Sequence, residues 1–128
     1  LPAARTMQEQ VMEIRRRVLG EEHPDTLGSM NNLAGTLWAQ GDLPAARTLE
    51  EQVLTICRRV LGEEHPHTLG SAWNLLQTLL QIGDTESCRT LLTETALGRL
   101  PEIADERLIG ELIPLKPQIA ELRLILGL

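Results

Sequence analysis

Between residues 43 and 61, apolar side chains recur at three- and four-residue steps: Ala46, Leu49, Val53, Ile56 or Cys57, and Val60. Arg47, Glu50, Glu51, Arg58 and Arg59 lie between them. One apolar stripe on an otherwise charged surface marks an amphipathic helix, and the pattern predicts one from Pro44 to Leu61. Pro44 is tolerated in the first turn, where a missing N–H loses no intrahelical bond, and Gly62 follows as a left-handed stop. The segment "EEHP" then reads as a short connection in which Pro66 opens a second helix, running to Ile82 before "GD" breaks it.

The same pattern occurs one step earlier in the chain. The stretch from Leu1 to Asp42 and the stretch from Leu43 to Asp84 align at an offset of 42 residues with about two thirds of positions identical. Helices are therefore expected from Pro2 to Leu19 and from Pro24 to Gln40, making each repeat a pair of antiparallel helices. No segment alternates with period two, so strands are not needed. A repeat of this length signals a solenoid, in which each unit buries its apolar face against its neighbours. The expected units are 1–42, 43–84 and a degenerate one from residue 85, the whole repeat region covering 1–97.

After Asp84 the repeat decays. "TESCRTLLTETALG" keeps Arg89, Thr90 and Leu91 in register with Arg47, Thr48 and Leu49, but "VLGEEHP" does not return. Gly98 and Pro101 are expected to end that helix early. Residues 98–128 then read as two shorter helices, Pro101 to Ile113 and Pro117 to Leu126, divided by Pro114 and Pro117. Terminal repeats are atypical because they close a stack, and these helices would serve as C-terminal caps. Leu108, Ile109, Leu112, Ile119, Leu122, Ile125 and Leu126 are more apolar than a cap needs, so a cover for a groove or for a second chain stays open. The chain opens in mid-repeat and without Met, which leads us to expect a segment of something longer.

Composition sharpens the all-α reading. At 128 residues the chain suits one domain. It has no Phe and no Tyr, so its apolar content is mostly Leu, Ala, Ile and Val, the residues of aliphatic helix packing. Net charge is −6 and Lys116 is the only Lys, so the positive field that a phosphate backbone requires is missing and nucleic acid is not an expected partner. No segment approaches the roughly 20 apolar residues of a membrane helix. Cys57 and Cys88 are too few for a disulfide framework or a zinc site and read as buried thiols, which suits a cytoplasmic protein.

Candidate chemistry is sparse. His23 and His65 stand beside Glu21, Glu22, Glu63 and Glu64, and imidazole with carboxylate can hold a metal or move a proton. Neither copy supplies three convergent ligands, and each His precedes a helix-opening Pro with acidic residues near the positive end of the next helix. Cys57 has no His or Asp placed to activate it, and Arg15 occupies its position in the first copy. No glycine-rich phosphate loop is present. No metal, cofactor or catalytic residue is therefore assigned, and the chain is not expected to be an enzyme.

The Leu33-Ala34, Leu37, Gly41-Asp42 and Ala46 spacing within "NNLAGTLWAQGDLPAARTLEEQVL" resembles the tetratricopeptide repeat. The 42-residue unit and its "VLGEEHPDTL" connection look like the kinesin light chain variety. The resemblance covers residues 1–97. It implies a TPR-like right-handed superhelix in which the helix from Pro24 and its copy from Pro66 line a concave groove that binds a peptide or partner helix. By the same resemblance, Asn32 and Asn74 fall where the family often places an asparagine that hydrogen-bonds an extended backbone, with Asn31, Gly35, Trp73, Gln77 and Gln81 beside them. A structural hydrogen bond to a neighbouring helix is the other reading of the two asparagines.

The residues support this division independently. From Asp25 to Gln40 the one charged residue is Asp25, and from His67 to Ile82 there is none. Amides can meet a peptide without stripping water from a charge, whose burial costs far more. The basic groove residues of the kinesin light chain pattern are missing, so a neutral or mixed protein ligand is expected. Trp38, late in its helix beside Leu37, is assigned to the core; Trp73 fits core or groove equally, because interfaces favour Trp. The alternative to groove binding is self-association, a homodimer through exposed repeat ends or the leucine-rich C-terminal helices.

Overall fold

The computed structural model describes residues 2–128, and the chain divides into two compact units, Leu1–Ile56 and Cys57–Leu128. Every regular element among the described residues is helical. Helices α1 (Pro2–Leu19), α2 (Pro24–Ala39), α3 (Leu43–Leu61) and α4 (Pro66–Ile82) are followed by α5 (Thr85–Glu94). Two 3-10 helices, Ala96–Glu102 and Asp105–Arg107, lead to α6 (Leu115–Ile125). The fold is all-α.

Each of the first four helices ends the same way. Gly20, Gly41, Gly62 and Gly83 adopt φ of 94°, 80°, 95° and 87°, the left-handed conformation that a side chain resists. Starts come in two kinds. At α2 and α4 a histidine is the cap: His23 Nδ1 accepts the Asp25 N–H at 3.1 Å, and His65 Nδ1 accepts the His67 N–H at 3.1 Å, with Pro24 and Pro66 next in line. At α3 and α5 an aspartate caps, Asp42 Oδ1 accepting from the Ala45 N–H at 3.4 Å and Asp84 Oδ1 from the Ser87 N–H at 3.1 Å.

In the first unit α1 and α2 run antiparallel. Late in α1, Arg15 donates to Ser29 Oγ at 2.7 Å and to the Asp25 carbonyl at 3.3 Å, while Arg5 near its start pairs with Asp42 beyond the end of α2 at 3.2 Å. Between them lie Met12, Met30, Leu33, Ala34 and Leu37, all buried.

In the second unit the same contact is made with a thiol. Cys57 Sγ lies 3.7 Å from Ser71 Oγ, and Thr68 Oγ1 donates to the Cys57 carbonyl at 3.2 Å. Leu69, Leu75, Leu76 and Leu79 of α4 join Cys88, Leu91 and Leu92 of α5 and Leu97 and Leu100 beyond it in a continuous aliphatic core.

The tail departs from the expected helices. Gly98 and Pro101 do not end α5, which closes at Glu94; both lie inside the 3-10 helix. Gly98 has a steric task instead: a Cβ there would lie 1.7 Å from the Leu92 carbonyl oxygen and 2.7 Å from its carbon. No α-helix spans 101–113. Ile103 and Leu112 turn inward and Lys116 Nζ donates to the Ile103 carbonyl at 2.7 Å, so tertiary packing outweighs local propensity. Helix α6 begins before Pro117, which sits in its first turn where no N–H is needed. It lies against the longer 3-10 helix through Ile119, fully buried, with Arg123 donating to the Gly98 carbonyl at 3.0 Å and Arg89 to the Leu126 carbonyl at 2.8 Å. Of the other apolar tail residues, Leu126 is buried, whereas Ile109 and Ile125 are exposed.

Replacing the cap with His65→Ala should lower the urea midpoint by about 1 kcal/mol of stability, and His65→Asn should restore most of it. Gly98→Ala should destabilise by about 1–3 kcal/mol or more because backbone must move. Gly28→Ala, whose Cβ meets nothing within 4 Å, should be neutral or stabilising in the same assay.

Candidate functional site

Helix α2 turns its apolar residues inward at Met30, Leu33, Ala34 and Leu37. The positions between them form the opposite stripe, and Asn31, Asn32 and Gly35 are all exposed there. A Cβ on Gly35 would meet nothing within 4 Å, so this glycine is not required by packing and leaves the helix surface bare. In α4 the buried apolar residues are Leu69, Ala72, Leu75, Leu76 and Leu79, with Thr68, Ser71 and Thr78 buried among them. Asn74, Gln77 and Gln81 are exposed on the other side and Trp73 is half-buried beside them. Each helix thus presents an amide-rich stripe within its own unit.

Trp38 does not join the core. It is 42% exposed, as is Leu80 at the same position of the second copy. The signal is in the spacing: residues 31, 35 and 38 are separated by four and three, which puts Trp38 one and two turns along from Gly35 and Asn31 on the exposed stripe. Proximity in sequence to Leu37 is no guide, since adjacent helical residues point about 100° apart. Asparagine, glycine and tryptophan therefore share one face of α2, and tryptophan, asparagine and glutamine share one face of α4.

The candidate reactive groups take structural positions. His23 and His65 act as caps through Nδ1, a role that composition and spacing alone did not single out. The rings of His65 and His67 meet edge to face at 5.1 Å. Among the described residues no three His, Cys, Asp or Glu side chains converge to hold a metal. Burial pushes the Cys57 thiol up from its ordinary pKa, against a smaller opposite effect of its hydrogen bond with Ser71, so at neutral pH it is a thiol and a poor nucleophile. Cys88 is likewise a buried thiol. No helix among the described residues is long and apolar enough to cross a membrane.

Comparison with known proteins places this arrangement. The tetratricopeptide repeat model matches residues 1–25 and 26–67. Two similar solved structures are of a Podosopora anserina protein described as a kinesin light chain with nearly identical TPR-like repeats. One, a single-substitution variant, has a TM-score of 0.77 at 27% identity over 98% of this chain and 58% of that one. The other has a TM-score of 0.76 at 27% identity over 98% of this chain and 59% of that one. The chain thus spans less than two thirds of their length. No curated protein matches it.

Proposed function

This chain belongs to the tetratricopeptide repeat family, whose members are in general protein–protein interaction modules, and we propose that it is a non-catalytic scaffold binding a peptide or helix of a partner protein. The contacts are made by Asn31, Asn32 and Gly35 on α2 and by Trp73, Asn74, Gln77 and Gln81 on α4. The observation that carries this reading is the pair of exposed amide stripes without Lys, Arg, Asp or Glu in their middle turns.

An exposed amide offers a donor and an acceptor to a peptide backbone, and giving up water costs it far less than it would cost a charge. Trp73 adds apolar area at small entropic expense, having few rotatable bonds. A ligand matched to such stripes is neutral or of mixed charge. In this reading residues 1–97 carry the binding repeats, and 98–128 close their C-terminal end, supported by the bonds from Arg89 and Arg123.

A second reading, self-association, is favoured by one observation. Met7, Val11, Ile14 and Val18 of α1 are 66%, 38%, 51% and 70% exposed, a continuous apolar stripe. At the same positions of α3, Val53 and Ile56 are only 1% and 7% exposed, whereas Val60 is 47% exposed. Leu124 and Ile125 at the end of α6 are also bare, at 79% and 70%.

The groove reading is tested on a partner recovered by affinity purification with the full-length protein. Titrating peptides of that partner against Asn32→Ala combined with Asn74→Ala should show affinity weakened roughly tenfold, two hydrogen bonds' worth; unchanged affinity removes these asparagines from the site. Light scattering across a hundredfold concentration range tests self-association. A mass that rises with concentration and returns to the monomer in Ile14→Glu supports it, and a constant monomer mass ends it.

A further inference from the structure

A different surface of the first unit carries an open cleft. A cleft of about 520 Å³ opens between α1 and α3 above α2, within the range of pockets that hold small ligands or anchoring side chains. Its floor is Met12, Leu33 and Leu37, each less than a tenth exposed, and Leu49 forms a wall. On α1 the lining runs from Arg5 to Glu13, about 12 Å of helix at 1.5 Å per residue. The stripes of α2 named above use other residues, and so does the apolar stripe of α1, so neither occupies this cleft.

The rim decides what the cleft can take. Arg5, its one cation, is held by Glu9 at 3.0 Å and by Asp42 at 3.2 Å, which leaves it little capacity for an incoming anion. Glu9 and Glu13, one turn apart, both face the opening and are about half exposed, and Arg16 pairs with Glu13 at 3.2 Å from outside the lining. Counting the paired groups, three carboxylates, Glu9, Glu13 and Asp42, face two guanidiniums, Arg5 and Arg16, so the edge keeps one net negative charge over an aliphatic floor and complements a cation beside an apolar group. A length of two helical turns admits side chains at i and i+4, about 6 Å apart.

The geometry points to a second docking site, for a basic amphipathic helix of a partner protein that seats two leucine-sized side chains on Met12, Leu33 and Leu37 and lays a Lys or Arg against Glu9 and Glu13. This site is independent of the amide stripes and serves a ligand of opposite character: cationic and apolar rather than neutral and amide-seeking. Its failure leaves the reading of α2 and α4 untouched.

The chain contains three methionines, Met7, Met12 and Met30, which makes methyl NMR the direct test. Protein labelled with carbon-13 at the methionine methyl groups is titrated with a 16-residue leucine–lysine amphipathic helix and with the matching leucine–glutamate helix. Met12 in the floor should shift with the lysine peptide, while Met7 on the opposite stripe and Met30 in the core stay still. The glutamate peptide should bind at least roughly tenfold more weakly.

Thr48→Trp, which fills the cleft from the exposed side of α3, should abolish the Met12 shift. Glu9→Gln with Glu13→Gln, two exposed positions that leave the fold intact, should erase most of the preference for lysine. Asn32→Ala with Asn74→Ala should change nothing. A shift at Met7 in place of Met12, equal binding of the two peptides, or no shift at all overturns the proposal.

Discussion

A helix that stops one residue late rotates every later side chain by about 100°, and in this molecule the stopping points are held by backbone conformation. Gly20, Gly41, Gly62 and Gly83 stand 21 residues apart, each left-handed. A side chain at these positions would favour another φ and let the preceding helix run on. With the stops in place, each new helix begins at a capped residue, and its apolar stripe meets the core in the same phase as in the copy before. Placement of Leu33 and Leu37, and of Leu75 and Leu79, inside follows from where the chain turns as much as from their own hydrophobicity.

Once phase is set, the stripes have different tolerance for change. Position 15 of the first copy is an arginine that reaches Ser29, and position 57 of the second is a cysteine that approaches Ser71. A charged, half-exposed side chain and a buried thiol fill one repeat position because both can meet a hydroxyl there. The exposed stripes differ as well: Asn31 stands where the half-buried Trp73 stands, and Gly35, with open space around it, where Gln77 stands. The inward face diverges too, at Met30 against Ala72 and Ala34 against Leu76, but there every residue stays apolar, whereas the outward face changes in chemical character.

The helix pairs were legible because each rests on local signals that agree: a 3.6-residue apolar period, proline at the start, glycine at the stop. The bounds Pro66–Ile82 follow from the sequence alone, and α3 differs from expectation by one residue at its start. Beyond Glu94 that agreement fails. Residues 101–113 have apolar spacing compatible with a helix, but Ile103 and Leu112 are drawn to a core whose shape sequence periodicity does not encode. Gly98 reads as a helix stop by residue type, while its actual constraint is the carbonyl of Leu92, visible only in three dimensions. Trp38 shows the converse: its exposure was present in the 31, 35, 38 spacing, and its neighbour Leu37 obscured it. The capping histidines were hidden for a third reason, because imidazole is seldom used where serine or aspartate would serve.

The tail is fastened by an unusual choice of acceptor. Arg89, Arg123 and Lys116 each donate to a main-chain carbonyl, those of Leu126, Gly98 and Ile103. Carboxylates lose their attraction for cations as acid protonates them, whereas a peptide carbonyl has no proton to gain across that range. Part of the mooring of the C-terminal segment is therefore kept in acid, while the ion pairs beside it, Lys116 with Asp105, Arg123 with Glu102 and Arg107 with Glu64, are lost as their carboxylates protonate. All three acceptors lie in packed surroundings, Gly98 against the Leu92 carbonyl and Ile103 and Leu126 buried, so the positions that hold the tail are also ones where packing limits the side chain.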